Sequence, residues 1–284
     1  MPYIAQKNQE KCLECGACNE LISCLGGEEC VGCGACALAC PNEAIEMVEV
    51  GRERDVSIEV DGKKALVPER ITVKEALEGL GYKITKCPDE GGLFAPCGVG
   101  GCWSCALEIN GISRPSCVTS LKDGMRIKTE LPQYYTPKRL VHGFMGHTVG
   151  GVGTPWYLKG VFYIEAACFA AGCNFRCPQC QNWALTYRGK GRPVTPREAA
   201  ESMTKTRRRF GVNRMAISGG ECTLNRRWLV SYIKELKSLN RDREARFHVD
   251  TNGSLLTKDY IDELVEAGMI GQMGERIASL DPSI

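Results

Sequence analysis

The chain has 284 residues, enough for two or three modest domains, with the apolar and charged fractions of an ordinary globular protein. Its net charge of +2 gives no argument for nucleic acid or an anionic membrane, and neither is expected as a partner. No apolar run approaches the ~18 residues of a membrane span, and the N-terminus MPYIAQKNQEKC lacks the apolar stretch of a secretory signal, so a cytoplasmic location is expected. The unusual feature is cysteine, 18 residues in all. Without a signal peptide a disulfide scaffold is a weak reading. Cysteines two or three residues apart suit thiolates converging on one inorganic centre, zinc or iron–sulfur.

Residues 1–50 are cysteine-dense and poor in aromatics, so metal binding must supply much of their stability. Residues 54–131 read as strand (VSIEV), a turn at Asp61-Gly62, strand (KALV), a helix opened by the capping box Thr72–Glu75, a cysteine loop, and strands SCALEIN and MRIKT. Residues 132–159, with HGFMGHTVGGVGTP, read as a Gly-rich linker or loop. Residues 160–284 alternate strand and helix: VFYIEAA, a cysteine loop, a helix from Thr195-Pro196, RMAIS, a helix over about 227–239, ARFHVD, and a helix over 257–267. Alternation of this kind predicts a parallel sheet.

Cys30, Cys33, Cys36 and Cys40-Pro41 form Cys-x2-Cys-x2-Cys-x3-Cys-Pro, and Cys12, Cys15, Cys18 and Cys24 form a quasi-repeat with a final gap of five residues and no Pro. This domain resembles the bacterial two-cluster ferredoxins. The resemblance implies two 4Fe–4S clusters, one on Cys12, Cys15, Cys18 and Cys40, the other on Cys30, Cys33, Cys36 and Cys24. A zinc knuckle or a decayed half-site is the alternative. In 54–131, Cys97, Cys102, Cys105 and Cys117 match the Cys-x4-Cys-x2-Cys…Cys spacing of plant-type 2Fe–2S sites. The element order resembles the β-grasp fold. The segment CGVGGCWSCALEINGISRPSC resembles the iron–sulfur subunits of succinate dehydrogenase and fumarate reductase, which implies one 2Fe–2S cluster; a zinc ribbon is the alternative. Cys87 could replace a ligand, but a small buried side chain is the expected role.

GCNFRCPQCQNW offers three thiolates, Cys173, Cys177 and Cys180, just after a strand. A cluster that only carries electrons takes four protein ligands. Here the chain resembles the radical S-adenosylmethionine (SAM) superfamily, in which the open iron binds SAM and its reduction yields a 5′-deoxyadenosyl radical. The resemblance assigns Cys173, Cys177 and Cys180 as catalytic cluster ligands. It assigns Gly219, Gly220 and Glu221, in Ser-Gly-Gly-Glu after RMAIS, as a SAM contact. Asp250, Thr251 and Asn252, in Asp-Thr-Asn-Gly, resemble glycyl-radical-enzyme activases at the matching strand end; a turn before the next helix is the alternative there. That branch has an Asp-x-Lys in the following strand, where this chain has Arg276 and Ala278.

The expected architecture is therefore multidomain: a small 2×4Fe–4S ferredoxin-like α+β domain (1–50), a β-grasp 2Fe–2S domain (54–131), a linker (132–159) and a partial (βα) barrel of radical SAM type (160–284). Six units are usual for such cores, so a truncated chain is expected, or else a partner over the open sheet edge. The expected function is a radical SAM oxidoreductase fed by accessory clusters and an electron-donor protein, acting on a glycyl radical enzyme or on a small metabolite. The rival reading is a non-catalytic electron-transfer module. Cys168 and Cys222 are expected to be small buried residues and His248 structural. Trp103 and Trp183 are expected to shield clusters, and His142 and His147 to line the site.

Overall fold

The computed structural model describes residues 2–24, 26–51, 54–132, 134–148, 162–269 and 273–275. Two compact units emerge: Met1–Tyr135 with Tyr187–Gly191, and Thr136–Thr186 with the residues from Arg192 onward. The segments 1–50 and 54–131 thus share one unit.

In the first unit, β1 (Tyr3–Lys7) and α1 (Ala17–Leu21) are followed by α2 (Ala35–Ala39) and β2 (Ile45–Glu49), with β1 antiparallel to β2. The quasi-repeat of the sequence is also a repeat of backbone. Gly16 and Gly34 precede α1 and α2 with φ 72° each, and the preceding turns use Glu14 at φ 52° and Gly32 at φ 62°. Left-handed conformations cost least at glycine, which explains Cys-Gly-Ala-Cys in both halves. A Cβ at Gly32 would lie 2.4 Å from the Tyr3 carbonyl oxygen, so that turn admits no side chain.

The chain continues through β3 (Asp55–Val60), β4 (Lys63–Pro68), α3 (Val73–Gly79), β5 (Ile84–Thr85), β6 (Leu93–Phe94), β7 (Ala106–Ile109), β8 (Ile112–Pro115) and β9 (Arg126–Lys128). The main sheet runs β4-β3-β9-β7-β8, with β3 and β9 parallel. Thr72 caps α3 in a reciprocal box with Glu75, as the sequence predicts. Val73, Ala76 and Leu77 of α3 join Val56, Ile58, Leu107 and Ile127 in the core. Each Val, Ile or Leu among them contributes about 1.5–3 kcal/mol by burial.

The second unit holds β10 (Val141–His147), β11 (Glu165–Ala170), α4 (Trp183–Thr186), α5 (Pro196–Phe210), β12 (Arg214–Gly219), α6 (Arg226–Leu239), β13 (Arg246–Thr251), α7 (Lys258–Ala267) and β14 (Met273–Glu275). Its sheet runs β10-β11-β12-β13-β14, parallel from β11 to β14. Among the described residues this sheet is open, with no barrel closure. Met203, Trp228, Leu236 and Leu264 of α5, α6 and α7 pack on Ala166, Cys168, Met215, Ile217 and Val249, so the three helices cover one face.

The segment expected to be a linker contains β10, which pairs antiparallel with β11. Its two glycines hid the strand. Gly143, at φ 66°, lies within the register shift between His142 and Met145, where a bulge accommodates it. At Gly146 a Cβ would meet the Phe210 ring at 2.5 Å, so the missing side chain lets α5 pack onto the strand. Residues 149–161, like Arg276 and Ala278, lie outside the described residues.

Candidate radical SAM site and accessory cysteine clusters

The C-terminal ends of β11, β12 and β13 meet in one hydrogen-bonded assembly. Gly220 N donates to Ala170 O and Glu221 N to Gly172 O, both at 2.8 Å. Glycine is required at both positions of the pair. A Cβ at Gly219 (φ 112°) would lie 2.5 Å from Ala170 O, and one at Gly220 would lie 2.3 Å from Gly172 O. Close approach to the β11 loop therefore already fixes these glycines, before any ligand is considered. Asn182 Nδ2 closes the lacing on Gly219 O at 3.1 Å.

Cys173, Cys177 and Cys180 lie half-buried in the loop between β11 and α4. Phe175 N donates to Cys173 Sγ (3.3 Å), Cys180 N donates to Cys177 O (3.2 Å), and Cys180 Sγ lies 3.8 Å from Thr186 Oγ1. Burial pushes the Cys173 thiol up to about 11. Iron coordination would reverse that, because a coordinating thiol is deprotonated outright.

Glu221 is the hub of the site. Its buried carboxylate accepts from Thr223 N (2.8 Å), Thr223 Oγ1 (2.6 Å), Thr251 Oγ1 (2.7 Å) and Asn252 N (2.7 Å). Asn252 Nδ2 in turn donates to Asn174 Oδ1 (3.1 Å) and lies 3.8 Å from Cys173 Sγ. Thr251 and Asn252 therefore do more than form a turn: they tie the end of β13 to Glu221 and to the cysteine loop. Asp250 stands apart from this hub, since its Oδ1 meets His248 Nε2 at 2.8 Å.

Sequence reasoning missed Arg139. Its side chain is wholly buried and donates to the carbonyls of Cys222 (2.7 Å), Ala171 (3.0 Å) and Glu221 (3.1 Å), with its guanidinium carbon 5.6 Å from the Trp228 ring. A lone arginine ahead of an unrecognised strand carries no periodic signal. His147, expected near the site, instead bonds Glu165 (3.2 Å) at the opposite end of β11, because β10 runs antiparallel. His142 pairs with Phe169 at the site end of that strand. Cys168 and Cys222 are buried, as expected, and His248 is buried too, whereas Cys87 is exposed rather than buried. Thr85 Oγ1 accepts from Cys87 N, which ties the backbone of Cys87 down beside β5.

In the first unit, Cys97, Cys102, Cys105 and Cys117 are all buried. Cys102 Sγ donates to Cys97 Sγ at 3.2 Å. Hydrogen bonds from Cys102 and Cys117 hold the Cys97 thiol low, and one from Cys117 does the same for Cys105. Four sulfurs buried against one another, with backbone N–H groups of Val99 and Cys102 also aimed at Cys97, form a donor set that fits a 2Fe–2S cluster. In the ferredoxin-like part, backbone N–H groups point at Cys30 (from Ala5, 3.3 Å), Cys40 (from Ala44, 3.3 Å) and Cys12 (from Glu14, 3.4 Å). Burial pushes Cys36 up to about 12, and Cys24, Cys33 and Cys30 lie close enough to add to that shift. Cys24 thus falls beside the second run, and neighbouring sulfurs that would repel one another as thiolates suit a cationic centre. Among the described residues no three metal-binding side chains surround a single ion-sized point.

Residues 168–282 match the radical SAM superfamily, residues 53–132 a 2Fe-2S iron-sulfur cluster binding domain and residues 27–46 a 4Fe-4S binding domain. The chain therefore combines a radical SAM domain with ferredoxin-type 2Fe–2S and 4Fe–4S domains. Among curated proteins it is similar to a probable GTP 3',8-cyclase of Methanococcus aeolicus, 32% identical over 112 residues, covering 39% of this chain and 36% of that protein. It is also similar to the 7-carboxy-7-deazaguanine synthase of Hyperthermus butylicus, 35% identical over 88 residues, covering 30% of this chain and 33% of that protein. The matched stretches thus span about a third of the length of these relatives. Among the described residues no helix is long and apolar enough to cross a membrane.

Proposed function

We propose that this chain is a radical SAM oxidoreductase in which Cys173, Cys177 and Cys180 hold a 4Fe–4S cluster with one iron left for SAM. The observation that carries the reading is the lacing of three strand ends, with Glu221 joining Thr251 and Asn252 to the loop that bears the three cysteines. Ligands of parallel sheets bind at such strand ends. When bound, the cluster supplies one electron that splits the SAM sulfonium into methionine and a 5′-deoxyadenosyl radical, which takes a hydrogen atom from the substrate. Gly219 and Gly220 seat the end of β12 tightly on the β11 loop, which would set the backbone edge that the methionine end of SAM meets. Asn252 holds Asn174 and the Cys173 turn in register.

Cys97, Cys102, Cys105 and Cys117 would hold the 2Fe–2S cluster. Cys12, Cys15, Cys18 and Cys40, and Cys24, Cys30, Cys33 and Cys36, would hold two 4Fe–4S clusters. These feed electrons received from a donor protein. The substrate is a small metabolite, as in the two relatives, which are named for GTP and for a 7-deazaguanine. The Asp250-Thr251-Asn252-Gly253 segment supports a second reading, a glycine of a partner protein. Anaerobically reconstituted protein given dithionite and SAM should release 5′-deoxyadenosine, and Cys177→Ala should abolish release. Absence of that product from protein with its full iron content would reduce the chain to an electron-transfer module.

A further inference from the structure

The first unit contains a cavity of about 440 Å³. One wall carries Cys24, Cys30, Cys33 and Cys36, and the other is the β7–β8 hairpin with the chain that follows Cys117, including Val118. Val118 is covalently next to Cys117. Its Cγ2 would lie 2.6 Å from a Cβ at Gly100, so its side chain packs onto the loop between Cys97 and Cys102. One residue thus faces both cysteine sets. The cavity lining also includes the cations Arg114 and Lys122 and, among the described residues, one carboxylate, Glu29, a balance that suits the net negative charge of a thiolate-bound cluster.

We infer that Val118 is the common wall of two cluster sites, so that the centre held by Cys24, Cys30, Cys33 and Cys36 and the one held by Cys97, Cys102, Cys105 and Cys117 are direct electron-exchange neighbours. This rests on the cluster assignments proposed above. Exchange moves one electron: the 2Fe–2S centre is oxidised as the 4Fe–4S centre is reduced, or the reverse, with no bond made and no proton moved. Gly100 and Val118 also explain why the 2Fe–2S loop is glycine-rich there, since any side chain at 100 would push Val118 off the partition.

The test is the electron spin relaxation of the reduced 2Fe–2S signal in the full chain, poised with dithionite in a Cys177→Ala background. A neighbouring reduced cluster speeds that relaxation. Cys33→Ala, which should remove about four irons per chain, is expected to slow it markedly, whereas Cys15→Ala, with an equal loss of iron, should leave it fast. Slowing by Cys15→Ala and not by Cys33→Ala, or by neither, would overturn the neighbour relation while leaving the assignments intact. An unchanged iron content in Cys33→Ala would refute the assignment itself, and with it the inference. If Cys33→Ala costs the 2Fe–2S signal too, the milder Cys24→Ser is read by the same criteria.

Discussion

At the scale of single residues, the cysteines were legible because their spacing matches that of cluster ligands, but the groups that position them were not. Glu221 was singled out as part of a SAM-contacting segment. Its carboxylate is in fact occupied by four donors of the protein, two from Thr223 and one each from Thr251 and Asn252. Glu221→Gln puts an NH2 where an accepting oxygen stood. Each buried donor left unmatched costs about 1–3 kcal/mol, so the variant should melt several degrees lower and bind SAM more weakly. An unchanged melting temperature would mean that the carboxylate is not the hub described here. Gly220→Ala should be as damaging by a different route, because its new methyl group meets the backbone oxygen of Gly172, which cannot swing away. Arg139 was invisible for a physical reason: its partners are three carbonyls, and any residue supplies a carbonyl.

At the scale of elements, local chemistry was readable wherever it was self-contained. Both capping boxes, Thr72 with Glu75 and Thr195 with Glu198, form as their spacing predicts. Thr195→Ala should cost about 1 kcal/mol, read by chemical denaturation. Strand β10 was not readable, because its glycines are explained only by the Phe210 ring and a bulge against β11. The last turn of α5 adds a pH dependence. Arg207 grips Asp242 through two bonds of 2.6 and 2.7 Å and holds its carboxyl well below the usual range. A carboxylate with a lowered folded-state pKa contributes stability above its unfolded value, and that contribution disappears as pH falls through the folded value. Between about pH 5 and pH 2, the wild type should therefore lose more stability than Asp242→Asn, as followed by urea titration. Parallel losses would contradict the assignment.

At the scale of the whole molecule, the sequence pointed to three cysteine-bearing segments and a radical SAM sheet, and family matches fall at 27–46, 53–132 and 168–282, the first of them leaving out the run from Cys12 to Cys24. The count of compact units differs, because the ferredoxin-like and 2Fe–2S segments pack into one and the Tyr187–Gly191 segment joins them there. Gly189 N and Lys190 N both donate to Leu21 O, and a Cβ at Gly189 would lie 2.0 Å from Val99 O. No periodicity announces such a segment, since its glycine is demanded by a backbone oxygen distant in sequence. The central claim is that one cluster, and only one, has an iron open to SAM. Mössbauer and EPR spectra of the reduced, 57Fe-loaded protein with and without SAM test it most directly. SAM should change one 4Fe–4S signal only, with no change in Cys177→Ala, while the accessory signals stay fixed. Spectra identical with and without SAM would contradict it.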